Sequence, residues 1–191
     1  MNYQDKVLDF QIAGGEDLNS GLTPLREALL KEEIQELEDA IKANDRVEIL
    51  DALCDIKYIN DGNANLLGVD QDDYFINTGE FSSEQLIVVL KEKITFNHYV
   101  IKKDFAIHEL ANLFNFTLDN FKTALERVHL SNMSKFCSTE QEAIETIISY
   151  ERKGIDTYCK QNGDKWVVYR KSDNKILKSI LYTPVDLKDL V

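Results

Sequence analysis

PLREALLKEEIQELEDAIKANDRVEILDALCDIKYI, residues 24–59, decides the fold. Thr23 can cap a helix here and Pro24 fits its first turn. Leu30, Ile34, Leu37 and Ile41 recur at helical spacing and form one buried face. The pattern stops at Lys42-Ala43-Asn44-Asp45, a turn. Ile49, Leu53, Ile56 and Ile59 are the stripe of a second helix, which runs out near Gly62 to Gly68. So short a connection predicts an antiparallel pair.

Outward from this pair, residues 2–12 predict a short helix ended by Gly14-Gly15. Residues 69–81 read as a loop. Ser82 with Gln85 forms a capping-box pattern before LIVVLKEKITFNHYVI, which continues into DFAIHELANLF with a break expected near Lys103. Thr117 can cap LDNFKTALERVHL, whose stripe is Leu118, Phe121, Leu125 and Val128. Thr139 with Glu142 opens a further helix that Gly154 closes. The character then changes. Asn162-Gly163 between DTYCK and KWVVYR is a hairpin signal, and Ser172-Asp173-Asn174 offers a second turn before KILKSILY. The expected fold is therefore mainly α. A helical bundle over residues 1–136 carries a helix and a small two- or three-stranded β-hairpin extension over 137–191.

Lys plus Arg number 22 against 34 for Asp plus Glu, a net charge of −12. That balance argues against binding a nucleic-acid polymer or an anionic membrane, since both need a basic face. No apolar run approaches the length of about 18 residues that spans a bilayer. The amino terminus has no basic start or apolar core of a secretory signal. Cys54, Cys137 and Cys159 are odd in number and far apart, which fits reduced thiols in a cytoplasm. His98, His108 and His129 show no zinc-type spacing.

The chemistry lies in the acids of the first pair. At about 100° per residue, Glu32 and Glu36 stand about 40° apart and Glu33 and Glu36 about 60°. Glu48, Asp51 and Asp55 fall in a similarly narrow arc of the next helix. Both arcs border the apolar stripes, so antiparallel pairing can bring them to one rim. Gathered carboxylates repel one another unless something balances them. A hard divalent cation such as Mg²⁺ does so, keeping waters and completing its shell with substrate phosphates. Spacing alone equally fits a solvated acidic face. Downstream, Ser131, Asn132 and Ser134 offer short hydrogen-bonding groups and Lys135 a mobile charge, suited to a triphosphate oxygen or to a simple helix-ending turn. Lys175 and Lys178 equally fit charges that discourage sheet pairing. Asn63, with Asn60, either faces a nucleotide or frays the helix end.

These residues resemble the signature of the all-α nucleoside triphosphate pyrophosphohydrolases, the superfamily of MazG proteins, dimeric dUTPases and phosphoribosyl-ATP pyrophosphohydrolases. Its pattern is Glu-Glu-x-x-Glu on one helix and Glu-x-x-Asp on the next. Glu32-Glu33-Ile34-Gln35-Glu36 matches the first part and Glu48-Ile49-Leu50-Asp51 the second. Asp55 before Ile56-Lys57-Tyr58 resembles the family's last aspartate, which places Ala52 where a glutamate is usual. Val128-His129-Leu130-Ser131-Asn132-Met133-Ser134-Lys135 resembles an element of a phage and bacterial branch. That branch also tends to end with Asp-x-Lys-x-x-Lys and a proline segment, here Asp173, Lys175, Lys178 and Pro184. Phe10-Gln11 sits where the branch often has an aromatic and a polar residue over the base.

The resemblance implies a MazG-like bundle that cleaves a (d)NTP between α and β phosphates, giving a nucleoside monophosphate and pyrophosphate. It implies Mg²⁺, with Mn²⁺ as a substitute, held by Glu33, Glu36, Asp51 and Asp55, with Glu48 as the alternate. Glu32, Glu33 and Glu36 carry the catalysis. Phe10, Gln11, Asn63, Ser131, Asn132, Ser134, Lys135, Lys175 and Lys178 meet the substrate. A homodimer or homotetramer is expected. Two alternatives stand beside this reading: an inactive nucleotide-binding accessory protein of the same fold, and a phosphoribosyl-ATP pyrophosphohydrolase.

Overall fold

The computed structural model describes residues 2–70 and 81–191. Its elements are α1 (Tyr3–Ala13), α2 (Pro24–Ala43), α3 (Arg46–Leu67), α4 (Ser83–Lys91), α5 (Asn97–Leu113), α6 (Leu118–Met133) and α7 (Glu140–Glu151). Strands β1 (Thr157–Asn162) and β2 (Lys165–Arg170) follow, then a short 3₁₀ turn at Lys188–Leu190. The fold is mainly helical with a small carboxyl-terminal hairpin.

Local chemistry sets most boundaries. Asn2 and Asp5 form a reciprocal capping box on α1, as Ser82 and Gln85 do on α4. Thr23 accepts from the Arg26 amide at the start of α2, with Pro24 in the first turn. Asn44, in the left-handed region at φ 54°, ends α2. Asp45 then accepts from the Val47 and Glu48 amides and starts α3 at once. That tight reversal forces α2 and α3 into an antiparallel pair.

α3 is the central rod and packs against α1, α2, α5 and α6. Leu30, Ile34 and Leu37 of α2, Leu50, Leu53 and Ile56 of α3, Ile107 and Leu110 of α5, and Phe121 and Val128 of α6 share one core. Burying a side chain of this size stabilises the fold by about 1.5–3 kcal/mol. A smaller core of Cys137, Ala143, Val168 and Leu177 joins α7 to the hairpin. Phe136, Val167 and Tyr169 pack it against Phe10 and Ala13 of α1, and the Tyr169 hydroxyl donates to the Gly14 carbonyl at 2.8 Å.

One expectation is corrected. The break falls between Lys91 and Asn97, and α5 runs straight through Lys103. The reason is the lysine itself. Fully buried, its Nζ donates to the carbonyls of Val89, Leu90 and Glu92, satisfying the end of α4 that the break leaves open. The expected loop 69–81 lies outside the described residues between 71 and 80. The hairpin has two strands, paired Thr157 with Arg170 through Asn162 with Lys165. Among the described residues past it, the chain makes a single bridge, Tyr169 with Ile176.

Candidate active site: an acidic cleft faced by lysines

α2 carries Glu32, Glu33 and Glu36 and α3 carries Glu48, Asp51 and Asp55, close enough for acids of one helix to act on those of the other. Their electrostatics report the convergence. Burial pushes the Glu33 carboxyl up to about 8, helped by repulsion from Asp55, Glu36, Glu32 and Asp51. Asp51 is pushed up to about 7 by burial and then by Asp55, Glu48 and Glu36, against the pull of Lys178. Asp55 rises to about 6, burial again leading, opposed first by Lys135 and later by Lys178. Acids of two helices therefore feel one another, as an antiparallel pair in this register requires.

Three lysines act on these acids. Lys135, just beyond α6, is held below its usual range by burial, against the attraction of Asp55. Its Nζ donates to Asn132 Oδ1 at 2.5 Å. Lys175 Nζ lies 3.1 Å from Glu32 Oε2. Lys178 sits over the Tyr182 ring, 4.4 Å from its centroid. All three lysines come from chain segments far from α2 and α3 in sequence.

The remaining residues singled out from the sequence are placed differently. Phe10 stacks on Phe136 at 4.9 Å and meets Tyr58 edge-on at 5.5 Å. Gln11 is 2 % exposed, donates to Glu16 and the Gly62 carbonyl, and accepts from Asn65. Asn63 accepts from Arg26 Nε at 2.6 Å. Both amides thus belong to a network in which Arg26 also binds Glu16 and the Ile59 carbonyl. They tie the 14–22 segment to α3 rather than reach the acids. Ser131 and Ser134 spend their hydroxyls on the carboxyl-terminal segment around Thr183. Sequence reasoning passed over Arg26, Glu16 and Tyr182. Their partners are remote in the chain, so only the three-dimensional fold reveals them.

Does this cleft suit a divalent cation? Asp51 Oδ1 is buried without a hydrogen-bond donor, the state expected of an oxygen awaiting a cation. The ligand set is all carboxylate, the chemistry hard ions select. Among the described residues, however, no three His, Cys, Asp or Glu side chains form a group that could hold a metal ion. Mg²⁺ needs fewer protein ligands than such a group, because it keeps several waters and completes its shell with substrate phosphates.

Fold and acids together define a class: a mainly helical protein with carboxylates on two paired helices. Comparison with known proteins agrees. The family of phosphoribosyl-ATP pyrophosphohydrolases matches residues 15–80, which include α2 and α3. A protein of Acanthamoeba polyphaga mimivirus, described as uncharacterized protein L479, is 30% identical over 217 residues, covering 92% of this chain and 85% of that one. No solved structure matches. The chain belongs to the MazG-like all-α NTP pyrophosphohydrolase superfamily. Among the described residues, no helix is long and apolar enough to cross a membrane.

Proposed function

We propose that the protein is a Mg²⁺-dependent pyrophosphohydrolase that cleaves a (d)NTP between its α and β phosphates. The observation that carries this reading is the mutual repulsion of Glu33, Glu36, Asp51 and Asp55 across two helices, offset in part by Lys135 and Lys178. Glu33, Glu36, Asp51 and Asp55 would hold the cation, with Glu48 at the edge. When bound, the cation would neutralise charge on the phosphates and lower the pKa of a water. Glu32, exposed at the lip and paired with Lys175, orients the attacking water. Lys135 and Lys178 draw in the β and γ phosphates. Water adds its oxygen to the α phosphorus, the bond to the bridging oxygen breaks, and pyrophosphate leaves.

Pyrophosphate release is measured with Mg²⁺ and a panel of NTPs, dNTPs and phosphoribosyl-ATP. Release from at least one triphosphate is expected, and Glu36→Gln should lower it by at least about 100-fold with unchanged helical circular dichroism. Binding without release from any substrate would support the accessory-protein reading instead. The family match at residues 15–80 favours one second reading, phosphoribosyl-ATP as substrate, and the same panel decides it. The superfamily reading also carries a homodimer or homotetramer in the cytoplasm. Light scattering that returns a monomer at micromolar concentration would remove the oligomer.

A further inference from the structure

The carboxyl-terminal segment after β2 crosses three elements within a few residues. The Leu177 amide donates to the Val168 carbonyl at 2.9 Å, extending the hairpin's pairing. Ser179 Oγ donates to the Ser134 carbonyl at 2.9 Å, at the end of α6. The Ile180 amide donates to Thr146 Oγ1 of α7 at 3.1 Å. The Thr183 amide donates to Ser134 Oγ at 2.9 Å, and Ser131 Oγ donates to the Thr183 carbonyl at 2.9 Å. The same Ser131 hydroxyl lies 3.1 Å from the Tyr182 hydroxyl, and the Tyr182 ring lies under Lys178 Nζ. The Lys178 carbonyl accepts from the Tyr150 hydroxyl at 3.0 Å.

This density of contacts brackets one residue, Lys178. It is fixed to β2 on one side and to α6 and α7 on the other, its ammonium rests on the Tyr182 ring, and its charge lowers the pKa of Asp51 and Asp55. Lys175, three residues earlier, reaches Glu32. A free lysine samples many rotamers, and ordering it on binding works against affinity. Here the backbone and the aromatic rest beneath the charge are set beforehand.

We propose that residues 175–183 form a strap clasped by Ser131, Ser134 and Tyr182, and that the clasp positions Lys178 over the acidic cleft to receive the outer phosphates of the substrate. Ser131 and Ser134 are then positioning residues that act through Lys178 rather than substrate contacts. The inference rests on the proposed triphosphate reaction for its kinetic arm, and a binding arm separates the two.

The test is a double-mutant cycle between Ser134→Ala and Lys178→Met, with Ser134→Thr as the rescue that keeps the hydroxyl. Tyr182→Phe is a second probe that removes only the hydroxyl facing Ser131. In the kinetic arm, Ser134→Ala should raise KM about tenfold with kcat within about threefold, the signature of lost binding common to ground and transition states. Ser134→Ala should add nothing to Lys178→Met, and Ser134→Thr should return KM to within about twofold of the parent. Tyr182→Phe should raise KM in the same direction by less. Should Ser134→Ala fail to fold by circular dichroism, Tyr182→Phe replaces it in the cycle.

The binding arm titrates inorganic tripolyphosphate with Mg²⁺ by calorimetry and expects the same pattern in Kd. No turnover with an intact binding cycle defeats the proposed reaction and leaves the strap standing. Turnover with additive effects of Ser134→Ala and Lys178→Met overturns the strap alone. No tripolyphosphate binding by the parent protein, or a KM untouched by Ser134→Ala, overturns it as well.

Discussion

Two groups of acids sit on the same helix within a few turns of each other, one partly and one fully buried, and they are balanced in opposite ways. In the first, toward the start of α3, Asp51 and Asp55 meet Glu33 of α2, and each of the three carboxyls is pushed upward. In the second, Lys57 Nζ lies 2.6 Å from Asp61 and 2.9 Å from Asp104 of α5, almost wholly out of solvent. His108 completes the neighbourhood, 3.6 Å from Asp104. The acids beside Lys57 hold its ammonium well above the usual lysine range despite burial. Lys57 compensates its acids from within, whereas Lys135 and Lys178 offset the repulsion among the other acids only in part. The compensated arrangement is structural, and the uncompensated one is where the proposed cation would bind.

The largest test breaks the compensated group. Lys57→Met leaves two buried carboxylates without their cation, which should cost about 3–5 kcal/mol of stability. For a chain of this size that corresponds to a drop in Tm of roughly 10 °C, read by thermal circular dichroism. A change within a degree or two would mean the pair contributes no more than an apolar residue in its place.

Next comes the uncompensated group. Adding Mg²⁺ should raise Tm because the ion binds the folded chain, by about 2.7 kcal/mol at a concentration 100-fold above Kd. The same addition should do little to Asp51→Asn, and chelation should reverse the gain. A parent protein whose Tm ignores Mg²⁺ would place the ion's role elsewhere.

Asp51→Asn itself should act with the sign opposite to Lys57→Met. It removes repulsion with Asp55 and Glu48 and gives the orphaned Oδ1 position a neutral group. Since the side chain is partly exposed, a gain of roughly 1 kcal/mol without divalent ions is the expected scale. Turnover should fall to background in the pyrophosphate assay. Gaining stability while losing function is the mark of an acid retained for chemistry.

How much of this could be read along the chain follows the same division between local and remote causes. The caps at Thr23, Asp45, Ser82 and Thr117 are local hydrogen bonds, so the helix starts were legible. So was the acidic rim, because a tight reversal at Asn44 fixes how two helical arcs meet. The break between α4 and α5 was not, because a buried lysine far along α5 decides it by capping the end of α4. Asn63 read in sequence as facing a nucleotide or fraying the helix end, and Gln11 as lying near a base by resemblance alone; their hydrogen bonds to Arg26 and Glu16, across a loop, carried no such signal. The Lys57–Asp61 pair carries an i,i+4 signal, but nothing in α3 announces Asp104. Ser131 and Ser134 stood out for their hydroxyls, and only the returning chain shows what those hydroxyls hold.

Lys103 sharpens the comparison as a third case, a buried cation met by carbonyl dipoles rather than by a full charge. Burial pulls it down from 10.5 to about 8, and Glu92 opposes this only in part. Below pH 8 the folded chain bears the whole penalty of keeping the ammonium charged. Between about 8 and 10.5 the folded lysine has shed its proton while the unfolded one has not, so the unfolded chain binds more protons and stability rises with pH. Lys103→Met lacks this response. It should be less stable throughout, having lost the bonds that close α4, and its deficit should widen by about 1 kcal/mol between roughly pH 7.5 and 9. Chemical denaturation of both proteins across that range measures the difference. A constant deficit would show that the carbonyls of Val89, Leu90 and Glu92 hold the ammonium charged as effectively as the acids hold Lys57.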